Sequence, residues 1–127
     1  MTSNQRIEEA QHIIKLIEVW RLGDCTDEIN ARATKLFLET IGFVCPQYMS
    51  SMDVLFLCVP DGWCWTIGTR KIQEGQEMAL LSKYDQGTYK CLHLCQAHHS
   101  YSMHAAFLTA ILMAYIKEWK GVKPEQA

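Results

Sequence analysis

Long runs of basic residues are missing from this sequence. No stretch of lysine and arginine is longer than the pair Arg70-Lys71, and the formal net charge is -2. A protein that binds nucleic acid through the phosphate backbone presents a concentrated positive surface, and scattered lysines and arginines do not provide one. We therefore expect no nucleic acid among the partners.

Long apolar runs are missing too. The longest apolar segment, "AAFLTAILMAYI" at residues 105–116, has 12 residues and contains Thr109. A helix that crosses a bilayer needs about 20 residues of this kind. We therefore expect no membrane among the partners.

The start of the chain, "MTSNQRIEEA", lacks the basic segment and apolar run of an export signal. Disulfides persist mainly in oxidising compartments. We therefore expect a cytoplasmic protein with reduced thiols. The six cysteines are Cys25, Cys45, Cys58, Cys64, Cys91 and Cys95.

Motifs of catalysis and of nucleotide binding are also missing. The sequence has no G-x-S-x-G, no G-x-x-x-x-G-K-[ST] and no G-x-G-x-x-G, and its seven glycines stand singly. The first motif presents a nucleophile on a sharp turn, and the other two hold phosphates close to the backbone. The sequence therefore predicts no catalytic residue and no cofactor.

The segment "CLHLCQAHH" at residues 91–99 is the densest group of metal-binding residue types in the chain. A structural zinc site usually has two close pairs of ligands on turns. On a strand, Cys91, His93 and Cys95 share one face but stand about 7 Å apart at each step. They are then too far apart to bind one ion, so we expect no metal site. A small metal-dependent enzyme using this segment remains the alternative.

The composition predicts a single globular domain over residues 1–127. Hydrophobic residues make up 49% of the chain and charged residues 20%. A chain of this length normally builds one core. We expect a helix over residues 1–22, a core domain over residues 24–119 and a flexible tail over residues 120–127.

Apolar spacing and capping residues predict the helices. The first helix has an apolar face at Ile7, Ala10, Ile13, Ile14, Ile17 and Trp20, and Gly23 follows as a stop. The second is capped by Asp24 or Thr26, presents Ile29, Ala33, Leu36, Phe37 and Ile41 inward, and ends at Gly42. "MDVLFLCV" after Ser51 fits a short helix or a buried strand, and we favour the helix. The last helix is capped by Ser100 or Ser102 and runs to about Trp119.

Three strands are predicted between the third and the last helix. They are "WCWTIGTR" after Pro60-Asp61-Gly62, "EMALLSKY" after a loop around Gln73–Gly75, and "TYKCLHLCQAH" after the turn at Asp85–Gly87. The predicted fold class is α+β, a small three-stranded antiparallel sheet covered by helices in the order αα(α)βββα.

Trp63 and Trp65 fall on the same face of the first predicted strand. That face is turned either toward the covering helices or toward a groove or partner. Two indoles usually find a core, because each buries a large apolar area. We predict that Trp63 is a core residue beside the turn, and that Trp65, one step further along, belongs to a contact surface.

Several segments together resemble the phage ABA sandwich domain, found in small phage and prophage proteins. They are "DEINARATKLFLETIGF", a loop ending in "SSMDVLFLCVPDGWCWTIG", a polar linker and "SMHAAFLTAILMAYIKEW". The most specific part is Val59-Pro60-Asp61-Gly62-Trp63 with Trp65. The resemblance implies a phage origin, inside a host cell, and an α+β fold. It transfers no active site.

We therefore expect a phage or prophage accessory protein that acts by binding a host protein, including a host-defence component, or a small molecule. A homodimer is expected because the last helix is apolar nearly all round and the third strand carries "CLHLC" without a charge. The candidate binding residues are Trp65, His93, His98 and His99. The pair His98-His99 precedes the last helix, and we interpret it as a solvated turn. The alternative is that the pair holds an anion together with the N-terminus of that helix.

Overall fold

The computed structural model describes residues 1–20, 25–42, 44–45, 47–70, 76–100 and 102–121. Four helices and three strands follow one another as α1 (Ser3–Glu18), α2 (Thr26–Ile41), α3 (Met52–Cys58), β1 (Trp63–Arg70), β2 (Gln76–Tyr84), β3 (Cys91–His99) and α4 (Met103–Lys120). The sheet is antiparallel in the order β1-β2-β3. The predicted α+β class and element order are confirmed.

Helix α4 is the centre of the structure. It lies against all three strands, α1 and α3 pack on it, and α2 packs on α1. Nine of its residues are buried, as its nearly uninterrupted apolar sequence predicts. The buried apolar residues of helices and strands form one cluster around α4. No helix in the described part of the chain has the length and apolar character needed to cross a membrane.

Helix α1 begins with a capping box. The Thr2 hydroxyl accepts the backbone N–H of Gln5, and the Gln5 side chain accepts the backbone N–H of Thr2. The helix ends at Glu18, several residues before the predicted end. Its last turn closes there because the Trp20 backbone N–H bonds to the Ile17 carbonyl. The predicted stop at Gly23 lies outside the described residues.

Helix α2 begins differently from the prediction. Cys25 occupies the N-cap with a left-handed φ of 54°, its side chain does not cap the helix, and Thr26 is the first helical residue. The Thr26 hydroxyl instead accepts the indole N–H of Trp20 at 2.7 Å, which ties the two helices together. Ile41 was predicted to face inward but is 41% exposed. It is the last residue of α2, where the helix extends past the core.

The ends of α3 and α4 follow local signals. The Ser51 hydroxyl caps α3, which confirms the short helix over the buried strand. The Ser102 hydroxyl caps α4 by accepting the backbone N–H of Ala105. Gly121, with a φ of 62°, ends α4 after Lys120, so Lys120 belongs to the helix and not to the predicted tail. Residues 122–127 lie outside the described part, as does the predicted loop at residues 73–75.

Strand β3 starts later and ends later than the sequence pattern indicates. The Asp85 carboxylate accepts both the backbone N–H and the hydroxyl of Thr88, and Tyr89 adopts a left-handed φ of 58°. These contacts keep residues 85–90 in a turn. At its other end β3 includes His98 and His99, which pair with β2 and so do not form a solvated turn.

Candidate functional site

The four predicted binding residues do not come together in one place. Trp65 and His93 lie in neighbouring rows of the sheet face that packs against α4, and His99 lies at the far end of the same face. His98 is exposed on the opposite face. A single ligand site made of these four side chains is therefore not formed.

The two tryptophans of β1 share the helix-facing side but differ in exposure. Trp63 is 7% exposed and Trp65 is 44% exposed. Trp65 stacks on Phe56 of α3 with ring centroids 4.5 Å apart and also contacts Phe107 of α4. The prediction that Trp63 belongs to the core is confirmed. The contact role of Trp65 stays a prediction, and its free surface is consistent with it.

His93 is a core residue. It is 6% exposed, and its ring stacks on Trp63 with centroids 5.9 Å apart and planes 15° apart. Its Nδ1 atom is buried without a hydrogen-bond partner among the described residues. A ligand at the protein surface therefore has little access to this ring, which is a correction to its place among the candidate binding residues.

His99 joins the end of α1 to the start of α4. Its Nε2–H donates to the Ile17 carbonyl at 3.1 Å, and its Nδ1 accepts the backbone N–H of Ser102 at 3.2 Å. Burial lowers the pKa of His99, and the bond to Ile17 offsets this in part. Because the ring is neutral and engaged within the fold, and His98 points to the other face, the pair does not form the anion site considered above.

The Cys/His segment does not form a metal centre among the described residues. No group of three or more His, Cys, Asp or Glu side chains in the described part is arranged to hold an ion. Cys91, His93 and Cys95 follow one another along β3, as the strand prediction requires. None of the six cysteines, all of which the structure describes, is joined in a disulfide.

A cleft of about 830 Å³ lies where three helices end. Sequence reasoning did not identify it. We call it the helix-end cleft. It is lined by the last residues of α2, the end of α3, the turn before β1, one residue of β2 and the last two turns of α4: Thr40, Ile41, Leu57, Val59, Pro60, Asp61, Lys83, Tyr115, Glu118 and Trp119.

Glu118 is the polar centre of the helix-end cleft. Its Oε1 accepts the indole N–H of Trp63 at 2.9 Å and pairs with the Lys83 ammonium at 2.6 Å. Burial by itself raises the pKa of Glu118. The hydrogen bonds from Lys83 and Trp63, with the charges of Lys83 and His93, outweigh that effect and lower it. Glu118 is therefore an ionised carboxylate, fixed in place by two strands.

Aromatic residues form one wall of the cleft. Trp119 stacks on Tyr115 with centroids 5.4 Å apart and planes 26° apart, and Tyr115 meets Phe37 of α2 edge-on at 5.8 Å. Burial raises the pKa of the Tyr115 hydroxyl, and the nearby Cys58 and Asp61 raise it further. The wall is rigid because each ring packs against another. The raised pKa keeps the Tyr115 hydroxyl protonated.

The chain matches no protein-family model, no curated protein and no solved structure. The resemblance to the phage ABA sandwich domain therefore stays a prediction.

The helix-end cleft had only weak signals in the sequence. The turn Pro60-Asp61-Gly62 was evident, and it places Asp61 at the cleft. Glu118 and Trp119 stand next to each other near the end of a predicted helix, which is common and carries no functional meaning by itself. Only the packing of α2, α3 and α4 brings these positions together.

Proposed function

We propose that this chain is a non-enzymatic accessory protein of phage or prophage origin, and that it holds a host protein or a small molecule in the helix-end cleft. The observation that carries the proposal is the combination of charged, aromatic and aliphatic side chains in this cleft. A fixed, ionised carboxylate and a rigid aromatic wall lie beside exposed aliphatic side chains. Binding sites commonly join an apolar lining to a few placed polar groups.

The chemistry of the cleft supports binding over catalysis. Covalent catalysis needs a nucleophile and a base within hydrogen-bond reach of each other. The described lining residues include no Cys, Ser or His. The Thr40 hydroxyl donates to the Leu36 carbonyl at 2.7 Å, so it is used within its own helix. Glu118 and Lys83 are likewise bonded within the fold, so these polar groups shape the surface of the cleft.

The rim of the cleft favours a protein partner. Leu57 is 65% exposed and Ile41 is 41% exposed, and both line the cleft. Leu38, one turn before Ile41 on α2, is 48% exposed. Aliphatic side chains that lie next to one another on a surface are typical of protein contacts. A role against host defence, by inhibition of a host protein or by sequestration of a small molecule, rests on the family resemblance.

Affinity capture from infected or lysogenic host cells tests the proposal, with mass spectrometry of both proteins and small molecules. The wild type is compared with Leu57→Asp and with Val19→Asp. Val19 is 67% exposed, like Leu57 at 65%, but follows α1 and does not line the cleft. We expect the same partner on the wild type and Val19→Asp and its loss from Leu57→Asp. Equal capture by all three would place the binding site elsewhere.

The alternative of a metal-dependent enzyme has its own test. Elemental analysis of the purified protein is expected to find no stoichiometric zinc or iron. A full equivalent of either metal would contradict the proposal, since the Cys/His residues of β3 would then have a role outside the core.

A further inference from the structure

The backbone makes the helix-end cleft electronegative. Its lining includes the last two residues of α2, a residue in the last turn of α3, and two residues in the last turn of α4. A helix C-terminus carries roughly half an elementary negative charge from its unpaired carbonyls. The last turns of α2 and α3 contain no basic residue that would offset this charge, whereas the last turn of α4 contains Lys117 and Lys120. The negative backbone charge at the cleft therefore comes from the ends of α2 and α3.

The side chains add to the same sign. Among the charged residues that line the cleft, Asp61 and Glu118 are acidic and Lys83 is basic, which leaves one negative charge in excess. Lys83 is already paired, since its ammonium lies 2.6 Å from Glu118 Oε1. Asp61 is exposed in the turn before β1. The negative charge of Asp61 also contributes to the raised pKa of Tyr115, which places this charge close to the aromatic wall.

The aromatic wall suits a positive group as well. Trp119 is partly exposed, and its indole stacks on Tyr115. A guanidinium or ammonium group that lies over an indole face is attracted by the ring quadrupole. A guanidinium is planar and weakly hydrated, so it stacks on such a ring and pairs with a carboxylate at the same time.

We propose that the helix-end cleft receives an arginine side chain from a partner protein, with aliphatic residues of the same segment against Leu57 and Ile41. This deepens the proposed function and rests on it. The guanidinium lies between Trp119 and Asp61, where the aromatic face, the carboxylate and the C-terminal ends of α2 and α3 favour positive charge. Exposed Leu57 and Ile41 favour a protein segment over a small free cation, because a small cation leaves this rim uncovered.

The test uses three probes with ¹⁵N-labelled protein. They are the peptides acetyl-Leu-Arg-Leu-amide and acetyl-Leu-Gln-Leu-amide, and n-hexylammonium as a small apolar cation. Four tryptophans give four indole N–H signals. Trp119 lines the cleft and Trp63 donates its indole N–H to Glu118, so these two signals report on the cleft, whereas Trp20 and Trp65 serve as internal references. We expect the arginine peptide to shift the Trp119 signal saturably. The glutamine peptide should bind at least about tenfold more weakly, since it loses both the charge and the stacking plane.

Two charge-removing variants complete the design. Asp61→Asn should weaken binding of the arginine peptide about two- to fivefold, the effect expected for the loss of one exposed ion pair. Glu8→Gln, an exposed carboxylate on α1 outside the cleft, should leave its affinity unchanged. Glu118 is left intact, because its loss would also release Trp63 and Lys83.

Each other outcome overturns the inference in a distinct way. If the glutamine peptide binds as tightly as the arginine peptide and shifts the Trp119 signal equally, the cleft is a binding site that does not select for positive charge. Tighter binding of n-hexylammonium than of the arginine peptide would replace the protein segment with a small cation. An unmoved Trp119 signal with all three probes would overturn the arginine site, while the capture experiment with Leu57→Asp would still decide the proposed function.

Discussion

The indole N–H of Trp63, at the start of β1, donates to the Oε1 of Glu118, 55 residues later near the end of α4, at a distance of 2.9 Å. This contact fixes the turn at Pro60-Asp61-Gly62 against the end of α4. It also orients the carboxylate of the helix-end cleft. The tryptophan that the sequence predicts as a core residue is therefore also part of the support of the candidate site.

Replacing Trp63 with Ala should lower the free energy of unfolding by about 3–5 kcal/mol, as for other buried large aromatic residues. The variant loses a 93% buried indole, the stack on His93 and the bond to Glu118. Trp65→Ala is the matched control. It should cost about 1–2 kcal/mol, because Trp65 is half-exposed and loses mainly its stack on Phe56.

Urea denaturation of both variants beside the wild type measures the difference. An unchanged midpoint for Trp63→Ala would show that the indole is not part of the core. Binding of a captured partner by Trp65→Ala then tests the separate prediction that Trp65 belongs to a contact surface.

Replacing His99 with Gln should reveal a pH-dependent contribution to stability. The folded pKa of His99 lies below its usual value of 6.5, chiefly because of burial. A lowered histidine pKa stabilises the fold above about pH 6.5, and this contribution is lost as the pH falls toward the folded pKa. The stability difference between wild type and His99→Gln should therefore shrink from pH 7.5 to pH 5.5, as measured by urea denaturation at both values.

His98→Gln is the control for this experiment. His98 is exposed on the opposite face of β3. Among the described residues, its side chain has a hydrogen bond with the Gln96 side chain. Its stability should stay parallel to that of the wild type at both pH values. An equal pH effect in the two variants would mean that burial of His99 does not set its protonation.

The thiols should react in an order set by burial. Cys64 is exposed, whereas Cys58 and Cys95 are fully buried. Burial, with a smaller contribution from Cys45, raises the pKa of the Cys58 thiol to about 12, so almost none of it is thiolate at neutral pH. Titration of the folded protein with an aromatic disulfide reagent should label Cys64 first and Cys58 among the last. Titration in denaturant under non-reducing conditions should label six thiols per chain. A denatured count near zero would reverse the prediction of reduced cysteines.

Self-association also stays a prediction, now on narrower grounds. The apolar surface of α4 is covered within one chain, so it no longer requires a partner copy. Strand β3 remains at a sheet edge, and its face away from α4 exposes Leu94 at 46%. We expect a two-fold dimer by light scattering and a monomer for Leu94→Lys. A monomeric wild type at high concentration would show this prediction to be wrong.

Much of the fold was predictable because its signals are local. Ser51 and Ser102 cap the helices that the sequence assigned to them, and Gly42 and Gly121 end helices with the positive φ that glycine adopts easily. Each of these signals acts within one helical turn. A single stretch of sequence therefore contains all the information needed.

The alternation of side chains along a strand correctly predicted the positions of the two tryptophans, but it did not predict the positions of His98 and His99. The period of two placed Trp63 and Trp65 on one face, and the register confirms it. The same rule did not reveal that β3 extends through His99, because that extension depends on pairing with β2. The structure extends β3 by one residue beyond the predicted end at His98. His98 and His99 then lie on opposite faces of the strand, so they do not form a joint site.

The sequence alone determined the fold class, the order of the elements and the burial of Trp63, since each of these follows from spacing and capping within short segments. Only the tertiary structure decided which side chains meet. The helix-end cleft draws its lining from residues 40 to 119, and the contact at its centre joins residues 55 positions apart. Such a site depends on how three helices end against one sheet, and the geometry of that packing is not encoded in any one segment.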